Sequence, residues 1–128
     1  MPSPEDHQPN APVFSGPVLV LEDTAMIALE VGRMAEELGA TEVHVVTNAE
    51  DALAIVADAP LQAAFLDFGL KVGTSAKVAE KLAERGVPYV FASGYAGTSG
   101  MPPRFSDHPT LVKPFSPGDI REIFGPLL

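Results

Sequence analysis

Glu22 and Asp23, Asp67, Ser93 and Lys113 are the residues of this 128-residue chain whose types could act in concert. Carboxylates held close repel one another, so a cluster of them favours a hard, oxygen-loving cation such as Mg2+ or Mn2+ in its midst. A carboxylate is also a nucleophile, and its attack on phosphorus gives an acyl phosphate. Phosphoryl transfer spreads negative charge over the peripheral oxygens, which a metal, a lysine and a hydroxyl can each stabilise. Three acids, one hydroxyl and one ammonium are therefore a set suited to a phosphoryl group beside a divalent cation, provided the fold brings them together.

The pattern around them predicts that it does. Residues 18–21 (VLVL) form a continuous apolar run, as expected of a strand buried on both faces. Similar runs follow at 43–46, 61–66 (LQAAFL), 87–92 (VPYVFA) and 110–112. Helical spacing fills most of the intervals. Ile27, Val31, Met34 and Leu38 recur along one face before Gly39. Asn48 caps a helix to about Ala57, carrying Leu53 and Val56, and Val78 and Leu82 mark another over 75–85 that Gly86 closes. Ser116 followed by Pro117 starts the last, whose apolar face is Ile120, Ile123 and Phe124 before Gly125 and Pro126. Alternating strands and helices imply a parallel sheet covered on both faces. Such sheets bind ligands outside the carboxyl ends of their strands, and each of the five residues directly follows or ends a strand. One interval breaks the rhythm: residues 95–109 hold three prolines and no helical period, and read as a loop.

Composition narrows the function. A net charge of −9 argues against general affinity for nucleic acid or anionic lipid. No apolar run approaches the roughly 18 residues that a membrane span needs, and the chain starts with neither a basic nor an apolar signal segment. With no cysteines there are no disulfides or thiolate metal sites, and a cytoplasmic location is expected. Residues 1–16, with four prolines and no periodicity, read as a disordered leader ahead of one domain at 17–128. His7, His44 and His108 lack ligand spacing, so no zinc site is expected. Ser93 is not in a nucleophile elbow, because Phe91 and Tyr95 occupy the glycine places.

The acidic pair after VLVL, Asp67 after AAFL, Ser93, and the run Lys113, Pro114, Phe115 together resemble the response-regulator receiver domains of two-component signalling. The resemblance implies a flavodoxin-like, doubly wound α/β fold with a five-stranded parallel sheet in the order 2-1-3-4-5. It implies Asp67 as phosphoacceptor, and Glu22 and Asp23 as acidic-pocket residues with Asp23 the more direct metal ligand. Asp67 itself and the carbonyl of Gly69 would complete the metal site, with Ser93 and Lys113 on the phosphoryl oxygens. Residues 88–95 (PYVFASGY) resemble more narrowly the FAT GUY receivers, whose pattern has Phe and Thr where Tyr89 and Ser93 stand here. That subfamily is associated with a loop in place of the fourth helix and with sensor kinases of the HWE or HisKA2 type. Thr110 stands where most receivers carry an aromatic switch residue; Tyr95, two residues after Ser93, is the candidate substitute, the alternative being an ordinary surface loop residue.

The expectation is thus a stand-alone regulator, not an enzyme, that assists its own phosphorylation by a sensor histidine kinase and its own dephosphorylation. About 15 residues follow Lys113, too few for a DNA-binding output domain, so the output would be protein–protein contact or relay to a downstream regulator or phosphotransferase. The 95–109 loop would order upon phosphorylation. The alternative is a phosphate-independent receiver-like interaction module. A Mg2+-dependent phosphohydrolase is disfavoured, because Gly69 stands where its second carboxylate belongs.

Overall fold

The apolar runs become five strands: β1 (Pro17–Leu21), β2 (Glu42–Val46), β3 (Ala63–Asp67), β4 (Tyr89–Ser93) and β5 (Thr110–Val112). The computed structural model describes residues 11–68, 75–94 and 107–128. All strand pairings are parallel, in the order β2-β1-β3-β4-β5 that was expected. Four α-helices occur among the described residues: α1 (Ala25–Glu37), α2 (Ala49–Asp58), α3 (Ser75–Glu84) and α4 (Pro117–Phe124), the last running into a 3-10 turn, Gly125–Leu127. None is long and apolar enough to cross a membrane.

Side chains alternate across a strand, so each apolar run feeds two cores. Val18, Val20, Ala63, Phe65, Val90 and Leu111 face α1 and α4. Leu19, Leu21, Ala64, Leu66, Tyr89 and Phe91 face α2 and α3. Burial on both faces is why these strands show no polar alternation.

The helix ends follow the local chemistry. Asp51 N–H donates to Asn48 Oδ1 at 2.8 Å, and Ser116 and Asp119 form a reciprocal capping box with bonds of 3.1 and 2.9 Å. Gly39 closes α1 at φ +107°, and a Cβ there would sit 2.3 Å from the Phe14 carbonyl oxygen, so only glycine fits.

That contact belongs to a correction. The expected leader, 1–16, does not hold for its last residues. Val13 and Phe14 donate their N–H groups to Leu38 O at 2.8 and 3.0 Å, and Gln62 Oε1 accepts from Ser15 N and Gly16 N at 2.8 and 2.9 Å. Phe14 is only 3% exposed, and its ring meets Phe65 and Phe124 edge-on at 6.1 and 5.1 Å. A single aromatic among prolines has no period to betray it, so the sequence pattern hides this anchor. Residues 1–10 and 95–106 lie outside the described residues, and with them the rest of the expected leader and most of the expected loop.

Phe14→Ala should cost about 3–5 kcal/mol, the range for removing a buried phenylalanine. Urea unfolding checks this, and a variant as stable as the parent would place the ring outside the core.

Candidate functional site

The register of the sheet aligns the expected site residues before any side chain is considered. Leu21 pairs with Leu66, so Glu22, the first residue after β1, comes level with Asp67. Asp67 pairs with Ala92 and Ser93 pairs with Val112, which brings Lys113 in one step beyond β5. Hydrogen bonds run past the strand ends: Glu22 N to Val46 O at 3.1 Å, Phe68 N to Ala92 O at 3.0 Å, and Lys113 N to Ser93 O at 2.7 Å. The backbones that carry the site are therefore held by the ladder itself.

The side chains then converge. Carboxylate oxygens of Glu22, Asp23 and Asp67 lie within 4.8 Å of one another. Glu22 and Asp67 are buried, at 3% and 4% exposure, while Asp23 is half-buried. The Lys113 ammonium donates to Glu22 Oε1 and, at 3.3 Å, to Asp67 Oδ1. Thr24 N–H donates to the other oxygen of Glu22 at 2.9 Å. Both Glu22 oxygens are thus engaged within the protein. Among the described residues no buried side-chain nitrogen or oxygen lacks a partner.

The electrostatics show the strain of this clustering. Burial pushes the Glu22 carboxyl above its ordinary value; the bonds from Lys113 and Thr24 N–H oppose that push, and neighbouring Asp67 adds to it. For Lys113, burial on its own favours the neutral amine. The hydrogen bond to Glu22 and the charge of Asp67 outweigh it and hold the ammonium above the usual lysine value. With all four groups ionised, three carboxylates against one ammonium leave the pocket two negative charges from neutral. A divalent cation matches that deficit, and oxygen donors are the ligands Mg2+ and Mn2+ take.

An aromatic floor supports the pocket. Phe65, two residues before Asp67, stacks on Phe115, two residues after Lys113, at 6.4 Å with 7° between the rings. Phe124 closes the cluster edge-on against Phe65 at 5.1 Å. The peptide bond between Lys113 and Pro114 is cis.

Among solved structures, the solution structure of SdrG from Sphingomonas melonis Fr1 is 33% identical to this chain, with a TM-score of 0.73 over 88% of this chain and 96% of that one. The chain belongs to the CheY-like response-regulator receiver domains. A receiver domain from Methylobacillus flagellatus superposes at a TM-score of 0.76, with 21% identity, over 90% of this receiver and all of that chain (100%). The response regulator TrrA from Thermotoga maritima superposes at 0.75, with 21% identity, over 88% and 99%. At that identity these two speak for the fold alone. No family sequence model matches this receiver, and no curated protein does either.

Of the site residues expected in the receiver, the structure gathers Glu22, Asp23, Asp67 and Lys113 into one contact group. Ser93 ends β4 beside them, buried, with its carbonyl on Lys113 N–H. Gly69 and Tyr95 lie outside the described residues. Thr110 sits at the start of β5, its hydroxyl donating to His108 O at 3.1 Å. The sequence pattern missed Thr24, whose contribution is a backbone N–H that residue type does not reveal.

Asp23→Asn should weaken Mg2+ binding by at least about ten-fold, the lower end for losing a partner of a metal site. Asp58→Asn, on α2 away from the pocket, should leave it unchanged. Amide-shift titration measures both, and equal affinities for the two variants would count against Asp23 as a metal ligand.

Proposed function

We propose that this receiver accepts a phosphoryl group on Asp67 from a sensor histidine kinase, in a reaction that depends on Mg2+ or Mn2+, and signals through protein–protein contact or phosphorelay. The carrying observation is the placement of one buried carboxylate, Asp67, within reach of Lys113 and against Glu22 and Asp23. A relative 35% identical, SdrG, has been solved in a BeF3-activated conformation, and TrrA in complex with Mg(2+)-BeF, which supports carrying the chemistry to this chain.

An Asp67 carboxylate oxygen attacks the phosphorus of a phosphohistidine. A new O–P bond forms, the P–N bond breaks, and the imidazole leaves with the bonding pair. Glu22, Asp23 and Asp67 would hold the cation, Asp23 more directly than Glu22, with Gly69 O added on the family resemblance. Bound there, the cation supplies positive charge to the phosphoryl oxygens. Lys113 offsets the acids before transfer and is placed to follow the charge as it moves from the carboxylate to the phosphoryl group. Ser93 offers its hydroxyl from the end of β4, and Tyr95 is the residue that would follow it. On this reading the domain is a phosphoacceptor that assists its own phosphorylation and dephosphorylation rather than an enzyme with turnover.

Incubation with Mg2+ and acetyl phosphate, followed by intact mass, tests the proposal. The parent should gain one acid-stable, hydroxylamine-labile phosphate. Asp67→Asn should gain none, and excess EDTA should abolish the adduct. An undiminished adduct in the variant, or normal labelling in EDTA, would sink the assignment. Lys113→Ala should still label slowly yet show no phosphate-dependent change in partner affinity, and an unaltered response would deny the lysine a switching role.

A further inference from the structure

Among the described residues, Phe65 on β3 is packed by three rings, and one of them comes from outside the segment that carries Lys113. Phe115 lies two residues after the lysine, and Phe124 ends α4, which that segment enters. Phe14 belongs to the opposite end of the chain. On Phe65, Phe115 is stacked at 6.4 Å, while Phe124 and Phe14 meet it edge-on at 5.1 and 6.1 Å. Phe14 also meets Phe124 directly, at 5.1 Å and 68°. The N-terminal ring thus closes a cluster whose other members belong to the strand of Asp67 and the segment of Lys113.

The ring of Phe115 is less confined than the others. It is half-buried and borders open space on two sides. One is a cavity of about 300 Å3 that it shares with Ile27, Val31 and Met34, and the other is a groove of about 650 Å3 along β5. A ring beside free volume stays where its remaining contacts hold it. For Phe115 that contact is the stack on Phe65, and Phe65 has Phe14 against its edge. Phe14 is fastened independently of both. Val13 and Phe14 bond Leu38 O, and Ser15 and Gly16 bond Gln62 Oε1. Gln62 N donates to Pro17 O at 2.7 Å, just ahead of the strand that carries Phe65 and Asp67.

We propose that Phe14 is a positioning residue for phosphoryl transfer: by holding Phe65 it holds Phe115, and so sets the placement of the Lys113 ammonium relative to Asp67. The carboxylates are held otherwise, by ladder bonds that run past the ends of β1 and β3. The N-terminal anchor therefore acts on the lysine and not on the cation-binding oxygens. A displaced ammonium slows transfer, because stabilising the charge on the phosphoryl oxygens depends on a donor already in place. The proposal deepens the phosphoacceptor reading of Asp67 and rests on it.

The test follows labelling of the full chain by acetyl phosphate at saturating Mg2+, read by intact mass over time, beside Mg2+ affinity from amide shifts. Each variant is measured where urea unfolding shows it folded. Phe14→Leu keeps the apolar bulk and removes the ring. It should slow labelling by about ten-fold, within the range for remote misplacement of reacting groups, and leave Mg2+ affinity unchanged. Leu82→Ala, in the core on the other side of the sheet, also costs stability but should leave both quantities unchanged. Phe115→Leu should slow labelling by a factor similar to Phe14→Leu, and the double variant should be no slower than either, because the two act along one path. Gln62→Ala releases the strap without altering any ring and should slow labelling by a smaller factor. Parent-rate labelling by Phe14→Leu, or by Gln62→Ala should Phe14→Leu fail to fold, would overturn the proposal. Equal slowing by Phe14→Leu and Leu82→Ala would make Phe14 an ordinary core residue. Losses that multiply in the double variant, or Mg2+ affinity that falls with the rate, would also overturn it. A parent chain that takes no phosphate instead rejects the phosphoacceptor reading, and the positioning role with it.

Discussion

Three carboxylates held against one ammonium set the terms for the rest of this molecule. Two unit charges within about 5 Å, at an effective dielectric near 20, repel by roughly 3–4 kcal/mol, and the three acids make three such pairs. The two contacts of Lys113 each return an attraction of about the same size or a little more. The lysine contacts therefore offset much of the repulsion, and the cluster still carries excess negative charge. Such a pocket responds to small changes in charge. A cation relieves the acids, and a group that draws the ammonium away from Glu22 or Asp67 upsets the match. Thr24 N–H steadies Glu22 from the other side.

Holding repelling groups together requires a scaffold that does not yield, and the parallel sheet is that scaffold. Its register places Glu22 beside Asp67, and the ladder bonds that run past the strand ends fix the backbone on either side of the reactive side chains. Beneath them the stacked pair Phe65 and Phe115 ties the strand of Asp67 to the loop of Lys113. Phe14 and Phe124 brace Phe65 from two further elements. Close-packed rings transmit displacement rather than absorb it.

Phe115 also walls the groove along β5. One ring thus contacts the support of the carboxylate pocket on one side and the open sheet edge on the other. Phe115 follows Lys113 by two residues, so the site and the edge are built on one stretch of chain. The same edge lies beside His108, which stacks on Tyr89 at 4.1 Å and bonds its carbonyl at 2.7 Å, closing the face of β4 where the chain enters β5.

The sequence by itself determined the strands, the order of elements and which residue types end each strand. Each of those rests on local information: continuous apolar runs, helical spacing, the caps at Asn48 and Ser116, and the residue types that follow each strand. Parallel topology then leaves few ways to arrange them, and all point the carboxyl ends to one side. What only the tertiary structure decided depends on distance between residues far apart in the chain. That Glu22 shares Lys113 with Asp67 depends on how three strand ends twist toward one another. The contribution of Thr24 is a backbone N–H, which every residue but proline possesses. Phe14 was hidden because a lone aromatic has no period, and its burial arises from the space left between α1, β3 and α4. That β5 lies last in the sheet is a position that pairing assigns and that no side chain encodes.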